Sequence, residues 1–205
     1  ELLEIFEEAE TNEEYGSVKL IFQKVNFEIT TFRKEIQYID NRKPVEIQYI
    51  DKLSDDLLRR DITINTLCMT SSGDVIDLLN ATKDLKNKLI KVVGDPYKKL
   101  EEDSLRILRC IRFATKLKFR LDNKTKNAIK KTGKYLKNLS YERKKEELDK
   151  IFSSKNSKYG IMLIRKLGLE KYLDLPHLKK VKIVDDILGI WAQLDVLDIY
   201  PFTKN

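Results

Sequence analysis

Three arginines, Arg106, Arg109 and Arg112, recur at a spacing of three, just after the adjacent carboxylates Glu102 and Asp103. Guanidinium and carboxylate groups at i, i+3 and i+4 on a helix share one surface and can pair. The same set can also present donors and acceptors to a planar, polar ligand. A second cluster, Arg59-Arg60-Asp61, stands some forty residues upstream. Its guanidiniums can grip phosphate, while its carboxylate can accept a sugar hydroxyl. Taken alone, either cluster is equally an ion-pair ladder on a solvated helix.

The elements that must carry these groups follow from pattern. From Asp95 to Phe113 the spacing predicts one helix, with Asp95 as N-cap and Pro96 in its first turn. No further proline or glycine occurs before Gly133. Leu105, Leu108 and Ile111 supply its apolar stripe, one residue out of phase with the arginines. Ser54, followed by Asp55 and Asp56, predicts the start of the helix that delivers Arg59, Arg60 and Asp61. Ile62, Ile64, Leu67 and Met69 then read as core.

Upstream, residues 1–10 read as the end of a helix. Val18, Leu20 and Phe22 alternate along a strand, a turn follows at Lys24-Val25-Asn26, and Phe27 to Phe32 form the next strand. Residues 34–52 read as a polar loop with a turn at Asp40–Pro44 and a short strand, Val45–Tyr49. Ser71–Asp74 reads as a turn before a strand at Val75–Leu79. Downstream the chain reads as helical: Asp122–Lys131, Ser140–Phe152, Lys155–Leu169 closed by Gly168, and Val181–Asp195 with Trp191. Glu142 and Glu146 are spaced to brace Arg143 or lysines on neighbouring turns. His177, the single histidine, has no second His or Cys nearby and is a poor metal ligand.

The chain of 205 residues is 41% hydrophobic and 36% charged, long enough for a substantial core. No run has the length of a membrane span, and the acidic start is no signal peptide. Cys68 and Cys110 are too few for a disulfide framework or a zinc site and read as reduced core cysteines of a cytoplasmic protein. The net charge of +7 is uneven. Residues 1–14 hold seven acidic and no basic residues, whereas residues 120–150 hold eleven Lys/Arg against five Asp/Glu. That basic block suits a polyanionic partner or a solubilising face.

Taken in order, Asp55–Asn65, Glu102–Arg106 and Ser140–Leu148 resemble the motifs of class II tRNA nucleotidyltransferases and bacterial poly(A) polymerases, a family that includes the CCA-adding enzymes. The resemblance runs from about Tyr15 to Leu173. It implies an α+β fold: a truncated nucleotidyltransferase-type sheet, then an all-helical neck and the start of a helical body. The implied divisions are a partial head at 1–85, a neck at 86–152 and the start of a body at 153–205. It implies template-independent addition of C and A from CTP and ATP to the 3′ end of tRNA. A poly(A) polymerase or A-adding relative, and a non-catalytic helical RNA-binding module, are the alternatives.

The implied roles are specific. Arg59, Arg60 and Asp61 match the ribose-recognition motif. Asp103 and Arg106 match the nucleotide-selecting pair, with Glu102 orienting Arg106. Arg109 and Arg112 would meet triphosphate or the RNA end, residues 120–150 would face the tRNA backbone, and Ser140–Leu148 would steady the neck. Glu28 would stand beside the metal-binding carboxylates as a catalytic residue, or else be a solvent-facing strand glutamate. The Mg²⁺ ligands, an Asp-x-Asp pair, are expected ahead of residue 1, so the chain reads as a fragment inactive by itself. The segment between Arg33 and Arg59 matches the length of the family's flexible loop, against a CC-only enzyme. Ala81 stands where the family has glycine, which would cost about 1 kcal/mol if a positive φ were required there.

Overall fold

In the computed structural model the described residues are 9–12, 16–39, 43–184 and 186–202. They fall into two compact units, one within Glu1–Gln37 and Pro44–Arg59, the other within Tyr38–Lys43 and Arg60–Asn205. The architecture is α+β, with small sheets preceding a run of helices. Among the described residues no helix is long and apolar enough to cross a membrane.

The first unit is built on an antiparallel sheet of β1 (Ala9–Asn12), β2 (Ser17–Phe22) and β3 (Val25–Thr30). Ala9 and Glu10 are therefore strand rather than helix, because they pair with Leu20 and Lys19. The β2–β3 turn is Gln23-Lys24, both with positive φ, and Phe22 pairs with Val25. A two-residue turn of this hand matches the twist of the strands, so the turn falls one residue earlier than the expected Lys24-Val25-Asn26. Leu20 is buried, whereas Phe22, Val25, Phe27 and Ile29 are exposed. The expected strand at Val45–Tyr49 is present within β5 (Lys43–Tyr49), but the polar stretch before it forms β4 (Arg33–Ile39), paired with β5, rather than a loop. Ile36, Tyr38, Val45 and Ile47 alternate with polar residues at period two, which favours pairing over an irregular loop. Residues 40–42, at the centre of the expected turn, lie outside the described set, as do residues 1–8.

The first unit closes with α1 (Leu53–Arg59), which begins one residue before Ser54. The Lys52 carbonyl receives the Asp55 and Asp56 amides, and the Ser54 hydroxyl turns to Asp55 instead of capping.

In the second unit a 3₁₀ turn (Thr63–Thr66) leads to the ribbon of β6 (Cys68–Met69) and β7 (Val75–Ile76). Ile62 is fully buried, but Met69 is 72% exposed, since β6 is too short to be covered on both faces. α2 (Ala81–Lys86) starts where the Asp77 carboxylate accepts the amides of Ala81 and Thr82. The positive φ sits on Asn80, at 56°, so Ala81 is an ordinary first helical residue and carries no strain there. Asparagine tolerates that conformation better than most residues.

β8 (Leu89–Ile90) and β9 (Arg120–Leu121) form a parallel pair that ties together the two ends of a helical excursion. That excursion is two helices, α3 (Pro96–Glu102) and α4 (Leu105–Leu117), not the single helix expected. Asp103 leaves helical geometry at φ −140° and ψ 103°, and its carboxylate accepts the Leu105 amide at 3.1 Å. A short acidic side chain offers the backbone this alternative to continuing the helix, and here it starts a new one.

α5 (Asn123–Thr132) begins at an Asp122 N-cap and runs into a 3₁₀ segment, Gly133–Asn138. α6 (Tyr141–Phe152) and α7 (Ser157–Leu167) follow. At Gly160 an added Cβ would stand 2.5 Å from Ile151 and 2.6 Å from Thr115, so only glycine lets α7 come this close to α4 and α6. The expected last helix shortens to α8 (Ile187–Leu194), capped by Asp186. The core runs continuously from Ile62 to Tyr200, centred on Leu108, Ile111, Leu148 and Ile164. Trp191 closes it among Phe152, Tyr200 and Phe202, with its indole N–H on Asp149 at 2.7 Å.

Candidate functional site

Asp61 is fixed before its side chain does anything. Its carbonyl receives the Val93 amide, Ile62 bridges Val92, and the Thr63 amide reaches the Lys91 carbonyl, so the backbone is clamped on both sides. The Thr63 hydroxyl then donates to buried Asp84 at 2.8 Å. From this clamp the Asp61 carboxylate accepts the Ile62 amide at 2.8 Å, the Asn65 side-chain amide at 3.0 Å and Arg109 Nε at 2.7 Å. Burial pushes this carboxyl up. The Arg109 charge and the hydrogen bonds from Asn65, Arg109 and Ile62 outweigh that, holding it below the usual carboxylate range. Arg109 is raised in turn: burial works against its charge, and Asp61, Glu147 and Asp103 overcome it.

Asp103 is the counterpart. It lies at the break between α3 and α4, and burial raises its pKa despite the opposing pull of Arg106, Arg143, the Leu105 amide and Arg109. Beside it, Ser104 is fully buried, and its hydroxyl lacks a partner among the described residues. The Arg106 guanidinium reaches back to the Lys99 carbonyl at 3.4 Å and pairs with Glu102 at 3.8 Å. Glu102 thus approaches Arg106 across the break, and Lys99 approaches Glu102 at 3.4 Å.

The three arginines of α4 therefore meet three carboxylates from different parts of the chain. Arg106 faces Glu102 of α3, Arg109 faces Asp61, and Arg112 faces Glu147 of α6 at 3.0 Å. The last pair is close but not aligned as a hydrogen bond; Arg112 also lies 4.7 Å from the Phe113 ring centre. Arg60 folds over the 3₁₀ turn and donates to the Asn65 carbonyl at 2.8 Å.

Two of the expected site residues belong to the first unit. Arg59 donates to Asp56 at 2.8 Å and to the Arg33 carbonyl at 3.1 Å, and Asp56 also receives the Arg33 amide. Glu28 is exposed on β3, in register with Lys19.

Three participants escaped the sequence reading. Asn65 received no role, and Arg143 was read only as a partner for Glu142 or Glu146. Glu147 shares the inner face of α6 with Lys144, Leu148 and Ile151, a spacing that was available as a signal. Lys144 is almost fully buried, its ammonium 4.3 Å from the Tyr141 ring centre; burial lowers its pKa against the pull of Asp174. Among the described residues no group of three or more His, Cys, Asp or Glu could hold a metal ion. Asp61 already accepts three hydrogen bonds, so these residues do not fit a Mg²⁺ centre.

Asp103 thus lies at the helix break beside the buried Arg106, while Arg109, at 38%, is the most exposed arginine of the row. Comparison with known proteins places these regions in a family. A family described as the poly(A) polymerase head domain matches residues 2–91, and one described as the probable RNA and SrmB-binding site of polymerase A matches residues 118–181. The CCA-adding enzyme of Lactobacillus helveticus is 37% identical over 202 residues, covering 98% of this chain and 47% of that protein. The crystal structure of the Bacillus stearothermophilus CCA-adding enzyme with CTP superposes with a TM-score of 0.77 at 26% identity, over 93% of this chain and 47% of that one. A CCA-adding enzyme in complex with ATP matches at a TM-score of 0.66 and 25% identity, over 80% of this chain and 37% of that one. The chain spans about half the length of the curated relatives it matches. It belongs to the class II family of CCA-adding enzymes and poly(A) polymerases, with regions of the head and of the RNA-binding part.

Proposed function

We propose that the protein carrying these regions is a tRNA nucleotidyltransferase that adds C and A to tRNA 3′ ends, and that Asp103 and Arg106 choose the base. In this reading residues 1–85 belong to the head, 86–152 to the neck and 153–205 to the start of the body. Nucleotidyl transfer joins a 3′-hydroxyl to the α-phosphate of CTP or ATP and releases pyrophosphate. The Mg²⁺ such chemistry uses would be held by residues other than those described here, so no step is assigned to it.

The observation that supports the reading is the break in the helix, which takes Asp103 out of helical geometry beside Arg106 and turns its carboxylate to the Leu105 amide. Cytosine and adenine each present an amino donor beside a ring-nitrogen acceptor. A carboxylate accepts from the first and a guanidinium donates to the second. Guanine and uracil reverse that pattern and would leave buried polar groups unpaired, at about 1–3 kcal/mol each. Arg60 and Asp61 would lie toward ribose and phosphate, and Arg109 would add charge for the triphosphate. Arg112, held by Glu147, would act more on the helix than on the nucleotide. The basic stretch 120–150 would follow the tRNA backbone with strong salt dependence.

The test is Asp103→Ala combined with Arg106→Ala in the intact enzyme. Loss of preference for C and A with triphosphate binding retained supports the reading; unchanged preference ends it. A poly(A)-synthesising relative is the second reading, favoured by the description of the matching head family. Products from CTP and from ATP on tRNA lacking its 3′ end separate the two.

A further inference from the structure

A cleft of about 560 Å³ lies in the second unit, between the β8–β9 pair, the start of α5 and one face of α7. It uses none of the side chains assigned to nucleotide selection, although Arg120 and Lys126 on its rim belong to the basic stretch proposed to follow the tRNA backbone. Its walls are mainly aliphatic: Leu89 and Leu121 on the strand side, and Met162, Leu163 and Leu167 on α7. These α7 residues fall at i, i+1 and i+5, so they line a groove rather than a point. Three cations stand around it, Arg120 on β9, Lys126 on α5 and Lys166 on α7, all exposed.

The one carboxylate in the lining is Asp122, and it accepts the amides of Lys124 and Thr125 at the start of its own helix. It therefore does little to neutralise the rim. The one aromatic, Tyr159, donates its hydroxyl to the Phe119 carbonyl at 2.9 Å, which fixes its ring.

From this geometry we infer that the cleft is a docking groove for an acidic amphipathic helix of a partner protein. An aliphatic floor that includes a flexible methionine receives leucine-like side chains repeating along one helix face. A rim of separated lysine and arginine side chains favours glutamates flanking that face. A single RNA strand is the poorer fit, because bases need flat faces to stack on and this floor offers leucine and methionine. The inference stands apart from the proposed nucleotide chemistry, which lies on α3 and α4.

The probe is a fluorescent helical peptide with leucines at i, i+3, i+4 and i+7 and glutamates on the flanks, titrated into the full 205-residue chain. Binding should weaken at least tenfold for Lys126→Glu combined with Lys166→Glu, and for Leu163→Glu. A peptide with lysines in place of the glutamates should regain affinity for the double charge reversal. Because Lys126 and Lys166 are exposed, the double variant keeps its fold, and an unchanged circular dichroism melt confirms this. Equal binding of a scrambled peptide of the same composition would overturn the inference. So would undiminished binding by the variants, or oligonucleotide binding that is itself lost in Leu163→Glu, which backbone contact through Arg120 and Lys126 alone would not show. If CTP and ATP binding is absent while the peptide effects hold, the nucleotide reading fails and this one stands.

Discussion

Asp61 and Asp103 lie near the same helix, both mostly buried, yet their surroundings push them in opposite directions. Asp61 sits in a clamped backbone and accepts from an amide, a side-chain amide and a guanidinium. Asp103 sits at a break, and its nearby arginines do not offset the loss of water. The difference separates a strut from the receptor proposed above. A carboxylate that accepts three hydrogen bonds holds α4 to the 60–66 segment, whereas one that burial disfavours gains from a ligand that donates to it.

The largest effect should come from removing the strut. Asp61→Ala leaves Arg109 without its nearest carboxylate and should lower stability by about 2–3 kcal/mol, read from the urea midpoint. The figure lies below the 3–5 kcal/mol typical of a fully buried pair because Arg109 is 38% exposed. Asp103→Asn should change stability by less than about 1 kcal/mol while altering nucleotide preference in the intact enzyme. Equal destabilisation by the two substitutions would erase the distinction.

Acid titration sharpens it. The folded pKa of Asp61 lies below its unfolded value, so its contribution is present above the unfolded pKa and lost as pH falls through the folded one. Asp103 runs the other way: its folded pKa is raised, so stability is greatest below the unfolded pKa and declines as pH rises through the folded value. Stability–pH curves of the Asp61→Asn and Asp103→Asn variants, each subtracted from wild type, should therefore slope oppositely through the acid range. Parallel slopes would contradict the assignment.

Further from the pair the effects shrink. Glu147→Gln should cost about 1–2 kcal/mol, since the amide keeps the shape of the side chain while mostly buried Arg112 loses the facing charge. Met69→Ser should change stability by less than about 0.5 kcal/mol, because the residue is exposed. A larger loss would mean that β6 is covered in solution.

The last prediction marks where the sequence was legible. Charge spacing predicted the pairing of Glu102 with Arg106, and the periods located most helices, because side-chain repeats reflect which face is buried. Met69 misled because hydrophobic type alone does not say whether a two-residue strand has cover. The break at Asp103 was hidden because every residue from Pro96 to Leu117 tolerates a helix, and the interruption comes from one side chain accepting one amide. The contact between Asp61 and Arg109 spans 48 positions, beyond any local repeat, so the fold alone brings them together. Lys144 was counted among surface lysines, although its place on the inner face of α6 with Leu148 and Ile151 pointed inward.

The interruption between α3 and α4 has a consequence for how this segment can vary. In one unbroken helix, inserting a residue rotates everything beyond it by about 100°. Here α4 restarts at Leu105, so a residue gained or lost in α3 can be absorbed at Asp103-Ser104. The arginine row then keeps its rotational phase toward Asp61 and Glu147, and length change in α3 is insulated from the aim of the residues that follow.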